Sequence, residues 1–323
     1  MPSVDRSARL LFLACDDRSG STVTERCLAG VPEICSLGEV HNLSAYVHDE
    51  RSFFDPPYEM LCTCGARVSE CSFWSSVGSR LSVPLDRLKL RVDFPRRTGL
   101  GSYIDRARWR AEEWAKNSDG RLIQNPLWHR TMGYDELARQ YWELYDAAAE
   151  VSGCPVVVDS SKWPLRFNYL ARAHPERMSI LLMYRSPFAV VYSKMRHTGV
   201  SPELAGRRWL AFAQQMERFA EALPRAQVFR LFYEEFCASP EESLTSILQA
   251  LGLRHEVRLG QPMDITHLHH IGGSPSKFDD NRTKIELDEV YRTEMDADAR
   301  RTVESIAGSF WAELCSKYGI RSE

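Results

Sequence analysis

The sequence is 323 residues long, with 44% hydrophobic, 26% charged and 11% aromatic residues, a globular composition that excludes disordered, collagenous and fibrous chains. Its formal net charge of −3 supplies no basic field to recruit nucleic acid, so any phosphate chemistry must rest on a few local cations. No apolar run approaches the ~20 residues of a membrane span.

The first element is a short strand, Arg9 to Cys15. Two aspartates follow it at once, which argues against a signal peptide and for a buried strand. The turn Asp16-Asp17-Arg18-Ser19-Gly20-Ser21-Thr22 then leads into a helix. Free N–H groups at a helix start favour an anion. Ser21 and Thr22 add hydroxyl donors and Arg18 a charged fork. The alternative is that Ser19 merely caps the helix. The turn is not a Walker A loop, because no lysine precedes the hydroxyls. After the helix comes Ser36-Leu-Gly38-Glu39-Val-His41-Asn42. Glu39 and His41, two apart, share a face if this segment is extended, and both residue types can act as general bases.

Nine cysteines and no export signal suggest reduced thiols in the cytoplasm. Cys62, Cys64 and Cys71 fall within ten residues. They read as free thiols in a structural turn, as a redox pair, or as a metal site, and no fourth ligand stands at ordinary finger spacing. The expectation is that no metal is required.

Residues from about 75 to 153 change in character. Arg91 to Ser102 is basic and rich in Gly and Pro, and helical segments follow at roughly Tyr103 to Lys116 and Tyr134 to Val151. A mostly helical insertion between the first two strands would form either an acceptor wall or lid, or a plain structural cap. Trp109, Trp114, Trp128 and Tyr134 hint at an apolar or ring-bearing acceptor. Strands follow at Pro155 to Asp159, Met178 to Tyr184 and Gln227 to Phe232. These continuous apolar runs alternate with helices, which predicts a parallel sheet covered on both faces. Arg185 ends one strand, and Ser193 and Arg196 share a face of the helix after it. Together they suit a dianionic phosphate; singly they are ordinary surface residues. Ser201-Pro202-Glu203 opens an amphipathic helix, and another begins at Ala297. The whole chain, 1–323, reads as one α/β domain: a P-loop-type parallel sheet flanked by helices.

Arg18-Ser-Gly-Ser-Thr22 and Tyr184-Arg-Ser-Pro…Tyr192-Ser193-Lys-Met-Arg196 resemble the two phosphosulfate motifs of sulfotransferases that use 3'-phosphoadenosine 5'-phosphosulfate (PAPS). Val157-Val-Asp-Ser-Ser-Lys162 is similar to a stretch in bacterial members. Phe232-Tyr233-Glu-Glu-Phe…Leu251-Gly-Leu and the Cys-x-Cys-Gly…Cys-x-Phe-Trp block are similar to segments of that group. His270-Ile-Gly272-Gly273-Ser-Pro-Ser276-Lys277-Phe278 resembles the late loop that closes over the nucleotide. The resemblance implies that Arg18, Ser19, Gly20, Ser21 and Thr22 hold the 5'-phosphosulfate and that Arg185, Ser193 and Arg196 hold the 3'-phosphate. It adds Tyr233, Gly272, Gly273, Ser276 and Lys277 to the nucleotide site. Gly38-Glu39 resembles the base segment of the tyrosylprotein branch. The implied catalytic set is Glu39 as base, His41 as the alternative base, and Arg18 with Lys162 for charge stabilisation. The implied reaction is transfer of a sulfuryl group from PAPS to a hydroxyl, or secondarily an amine, of a small-molecule, glycan or lipid acceptor. A homodimer is compatible with this reading. A P-loop small-molecule kinase and a non-catalytic nucleotide-binding module are the alternatives. One departure stands out. Asp16 and Asp17 occupy positions usually small or glycine, and would repel a phosphosulfate unless turned away or paired with Arg or Lys.

Overall fold

The computed structural model describes residues 7–48, 60–90, 107, 110–111, 125–221, 227–254, 268–278 and 285–321. Most of the predicted helix over Tyr103 to Lys116, with Trp109 and Trp114, lies outside the described residues, as does the segment from Arg91 to Ser102.

Five strands form one parallel sheet in the order β2-β3-β1-β4-β5: β1 (Arg9–Cys15), β2 (Ile34–Ser36), β3 (Val156–Lys162), β4 (Met178–Tyr184) and β5 (Gln227–Phe232). The predicted parallel α/β architecture is therefore present. The sequence reading found four of these strands and missed β2, so the helical segment after Ser75 joins β2 to β3, not the first strand to the second as expected. Three residues, Ile-Cys-Ser, are too few to show a period.

Alternation along the strands divides the core. Leu10, Phe12 and Ala14 of β1, with Ile180, Leu182 and Tyr184 of β4, face one large cluster. Leu11, Leu13 and Cys15, with Leu181 and Met183, face the other. Burial on both faces explains why the strands read as unbroken apolar runs. The described helices are α1 (Ser21–Ala29), α2 (Leu43–His48), α3 (Ser72–Gly78), α4 (Pro126–Met132), α5 (Tyr134–Ser152), α6 (Pro164–Ala173), α7 (Pro187–Thr198), α8 (Pro202–Glu221), α9 (Tyr233–Ala238), α10 (Pro240–Ala250), α11 (Tyr291–Glu294), α12 (Ala297–Val303) and α13 (Ser309–Tyr318). Proline in the first turn of α4, α6, α7 and α10 matches its missing N–H to a position with no intrahelical partner. Trp128 and Tyr134, weighed as acceptor aromatics, belong to the core: Tyr134 is fully buried and stacks on Tyr169 at 5.3 Å, and Trp128 packs against the same cluster.

The apolar face of α8 carries Trp209, Phe212, Met216 and Phe219 into the core. On its edge, Glu217 accepts hydrogen bonds from Arg230 of β5 at 2.8 Å and from Tyr184 of β4 and Tyr318 of α13 at 2.7 Å each. Burial opposes the charge on Glu217, but these donors outweigh it and hold the carboxyl at about 2. This carboxylate joins two strands and two helices on the side of β4 and β5.

Candidate active site

The strand ends β1 and β3 and the start of α1 meet at one edge of the sheet. Arg18 and Lys162 are the two non-glycine residues with positive φ among the described residues, at 72° and 66°. L-residues avoid this region at a cost of about 1–2 kcal/mol each, and such strain is typically stored at functional sites. Gly20 has φ 89°, and a Cβ there would stand 2.3 Å from the Tyr233 ring. Glycine is therefore required for the turn to pass over that ring. Ser19 is buried, and Ser21 is the first residue of α1.

The two aspartates beside the turn are neutralised locally. Asp16 accepts from Lys194 Nζ with both carboxylate oxygens, at 2.6 and 2.7 Å. Asp17 pairs with Lys162 Nζ at 3.0 Å. The repulsion expected from the sequence is thus answered by lysines from α7 and β3. The Lys162 charge holds the Asp17 carboxyl below the ordinary range.

Lys162 reaches this position because Asp159 shapes the end of β3. Asp159 accepts the Ser161 N–H at 2.7 Å and the Tyr145 hydroxyl at 2.5 Å, and burial raises its carboxyl to about 6. Lys162 Nζ lies 2.6 Å from Glu39 Oε1. Burial would lower the Lys162 pKa, but Glu39 and Asp17 outweigh it and keep the ammonium charged well above the usual range. The structure therefore brings Arg18, Lys162 and Glu39 into one neighbourhood, with Asp17 as a link.

Glu39 is held by its own backbone. Its N–H donates to the Ile271 carbonyl at 2.7 Å, and its Oε2 accepts from Asn42 Nδ2 at 3.2 Å. Gly38 and Ile271 form a parallel bridge, Ile271 N–H donates to Leu37, and a Cβ at Gly38 would sit 2.2 Å from the Ile271 carbonyl oxygen. The loop from Leu268 to Phe278 is thus laid beside the Glu39 segment as a strap. Gly272 passes so close that a Cβ there would meet the Glu39 Cβ at 2.6 Å, and Ser274 N–H donates to Thr22 Oγ1 at 3.4 Å. The side chain of Ser276 lies outside the described residues.

The expected shared face of Glu39 and His41 is not formed. Glu39 caps a 3-10 turn over Val40–Asn42, and two steps of about 120° do not return a side chain to the same side. The His41 backbone N–H donates to Ser161 Oγ at 3.2 Å, and the residue is half-buried.

Arg185 is buried beneath the turn. Its guanidinium donates to the Arg18 carbonyl at 3.0 Å and the Asp288 carbonyl at 3.1 Å, and lies 4.8 Å from the Tyr233 ring centroid. Arg185 and Tyr233 therefore join the phosphate-type turn from below. Ser193 is half-buried on α7, next to Lys194. Arg196 points elsewhere: it is 60% exposed and 3.9 Å from Glu294. His197 beside it has its pKa lowered first by the Arg18 guanidinium and also by Arg196, so α7 ends near Arg18. Lys277, near the end of the strap, is buried and donates to the Leu61 carbonyl at 3.1 Å. Burial lowers it to about 8 against the charges of Cys62, Glu39 and Glu25.

Sequence reasoning missed three supports. Glu25 of α1 is buried and accepts from Ser36 Oγ at 2.6 Å, Gly38 N–H at 2.8 Å and Ser160 Oγ at 2.7 Å. It fastens α1, β3 and the Glu39 segment together. Lys194 neutralises Asp16. Glu234 accepts the Ser186 N–H at 2.8 Å and so fixes the chain just after Arg185. A charged residue one turn into a sheet-facing helix was the available signal for Glu25; Lys194 and Glu234 carried none. The sequence also showed no fourth ligand for the three clustered cysteines. The fold supplies one from far along the chain: Cys62, Cys64, Cys71 and His269 gather their ligand atoms within 4.8 Å of one another.

The comparisons agree with this architecture. No curated protein matches the sequence significantly. Among solved structures, the sulfotransferase domain of the Synechococcus PCC 7002 olefin synthase is 18% identical, with 93% of this chain and 95% of that domain covered at a TM-score of 0.50. The sulfotransferase domain from the curacin biosynthetic pathway is 16% identical, with coverages of 98% and 99% and a TM-score of 0.52. At these identities the likeness concerns the fold. The model of the Sulfotransferase family matches residues 84–256, which span β3 to β5, Lys162 and Arg185 and make up more than half of the sequence, and the chain belongs to that family.

Proposed function

We propose that this chain is a PAPS-dependent sulfotransferase acting on a hydroxyl acceptor. One observation carries the reading: the N-terminal turn of α1 is braced by Arg185, whose Nη1 donates to the Arg18 carbonyl at 3.0 Å. That brace couples a site for a 5'-phosphate to a buried cation at the end of β4. The residues fit such a nucleotide. Arg185 Nε is buried and has no hydrogen-bond partner among the described residues, which suits a polar group of a ligand. The α1 N-terminus offers N–H groups to an anion. PAPS, when bound, supplies the sulfuryl group.

The chain's own residues then have distinct tasks. The N–H groups of Ser19 to Thr22 and the Arg18 side chain bind the 5' anion, and Arg185 with Ser193 receives the 3'-phosphate. Arg196, paired at the surface with Glu294, would join them only by releasing that partner. Glu39 accepts the acceptor hydroxyl's proton at Oε1 or Oε2. Lys162 holds the Glu39 carboxylate in position and places a fixed positive charge where negative charge develops. Arginine and lysine do the neutralising work, and the proposed reaction needs no catalytic metal. The free cysteines support a reducing, cytoplasmic setting. The stretch at about residues 75–153 supplies an acceptor wall or lid, within one domain.

The test is ligand stabilisation followed by turnover. The product 3',5'-adenosine diphosphate should stabilise the protein by about 2.7 kcal/mol at 100 times its Kd, and ATP with magnesium by much less. An acceptor screen should release the same product from PAPS. Equal stabilisation by ATP, or none by 3',5'-adenosine diphosphate, would overturn the assignment.

A further inference from the structure

The cysteine cluster lies outside the chemistry just described. Cys62, Cys64 and Cys71 come from a knuckle that the sequence folds tightly. Cys62 N–H donates to Ala66, and Gly65 N–H donates back to Cys62, both at 2.9 Å. Gly65 takes φ 85°, a conformation that glycine adopts without steric cost. Leu61 and Arg67 form an antiparallel bridge across the turn. Cys71 follows as the residue capping α3. His269 arrives from the strap, its ring stacked on Phe73 at 4.5 Å and 1°, which fixes the direction of the imidazole.

The spacing of the ligand atoms decides between chemistries. Cys64 Sγ is 3.6 Å and Cys62 Sγ 3.9 Å from Cys71 Sγ. His269 Nδ1 is 3.3 Å from Cys71 Sγ and 3.7 Å from Cys62 Sγ. A disulfide needs about 2.05 Å between sulfurs, and none of the three cysteines is in one. A tetrahedral zinc ion with Zn–S of about 2.3 Å and Zn–N of about 2.0–2.1 Å separates its ligands by roughly 3.8 Å for S···S and 3.6 Å for S···N. The observed distances bracket these values. Cys62 and Cys71 are buried, as a closed structural site requires.

We propose that Cys62, Cys64, Cys71 and His269 bind one structural Zn2+ ion that clasps the knuckle to the strap. Binding releases the three thiol protons to solvent and leaves a net charge of −1 on Zn2+ with three thiolates and a neutral imidazole. Lys277, whose ammonium donates to the carbonyl of Leu61 beside Cys62, faces that charge. The clasp is reinforced by hydrogen bonds from Thr63 Oγ1 to the Leu268 carbonyl and from His270 N–H to Thr63 Oγ1, at 2.8 and 2.9 Å. Two residues beyond His269, the Ile271 carbonyl holds the Glu39 N–H. Zinc would therefore fix the strap against the Glu39 segment without touching any reacting atom.

The experiment is metal analysis of the full chain purified under reducing conditions and incubated with excess Zn2+, followed by desalting. The expected content is about one zinc per chain. Cys64→Ser, at the half-buried tip of the knuckle, and His269→Ala should each lose most of the metal, whereas Cys154→Ser, outside the cluster, should keep it. Substitution by Co2+ should give the visible absorption of a tetrahedral thiolate site, weakened in the same two variants. Chelation should lower the Tm of the wild type and speed hydrogen exchange at the Glu39 and Ile271 amides. Less than about one-tenth of a zinc per wild-type chain, or a disulfide between any two of the three cysteines under reducing conditions, would overturn the proposal. Neither readout depends on a variant folding or on nucleotide binding, so failure here leaves the enzymatic assignment untouched.

Discussion

Gly38→Ala is the substitution that most directly probes the junction between the strap and the Glu39 segment. At φ 78° alanine would cost about 1–2 kcal/mol from conformation alone. Its Cβ would stand 2.2 Å from the Ile271 carbonyl oxygen, more than an ångström inside ordinary contact. The obstacle is backbone, so no rotamer change relieves it, and the strap must move away. That movement lengthens the Glu39–Ile271 and Ile271–Leu37 hydrogen bonds, now 2.7 and 3.0 Å, each worth roughly 0.5–1.5 kcal/mol. The expected loss of stability is about 2–5 kcal/mol, measured by urea denaturation of wild type and variant. Because Glu39 moves with the strap, turnover should fall by about 10²-fold even under conditions where the variant is folded. A variant within about 1 kcal/mol of wild type, with turnover reduced less than about threefold, would show that the bridge neither stores that energy nor positions the carboxylate.

Three further outcomes are expected. Glu39→Gln should lower turnover by about 10²–10⁴-fold while keeping affinity for 3',5'-adenosine diphosphate; loss of nucleotide binding would make Glu39 a support for Lys162 instead of the base. Arg185→Ala should weaken binding of 3',5'-adenosine diphosphate by about 1.5–3 kcal/mol in calorimetry, and an unchanged Kd would remove Arg185 from the site. Glu217, held at about 2 in the folded state against an ordinary 4.5, contributes stability that is fully present above pH 4.5 and lost as pH falls through about 2. Glu217→Gln should cost on the order of 3 kcal/mol at neutral pH, and the gap from wild type should close progressively below pH 4.5 in denaturation curves; a gap that does not depend on pH would remove the carboxylate charge from the account.

The parts of the fold legible in the sequence were those with a repeating physical signal. Leu10 to Cys15 and Met178 to Tyr184 are buried on both faces, so their apolar runs announce them. β2 has three residues and ends in Ser36, which is too little pattern to read. At the candidate site, Arg18, Lys162 and Arg185 could be named because the loop and strand-end motifs carry them, and Glu39 because a glycine-carboxylate pair follows the first helix. Their connections could not be named. That Lys194 answers Asp16, or that His269 stands beside Cys71 at a separation of 198 residues, depends on which segments the fold lays side by side. The error over Glu39 and His41 has the same root. Side-chain direction follows local geometry, and a 3-10 turn is not distinguishable from an extended segment in four residues of mixed polarity.

The strap also sets an order of events during synthesis. All five strands lie before Tyr233, so strand pairing does not wait for the strap, although Trp311 and Tyr318 of α13 complete the face of β4 and β5 later still. The strap's anchor to the knuckle spans 205 residues, from Thr63 to Leu268, and closing so long a loop forfeits roughly 5 kcal/mol of chain entropy. That closure must come late, after the scaffold that receives it is rigid. A growing chain would therefore hold the paired strands and the α1 turn well before the Glu39 segment is pinned. Competence would arrive only when the residues past Leu268 leave the ribosome and dock, and a fragment ending at Arg254 should never assemble the site.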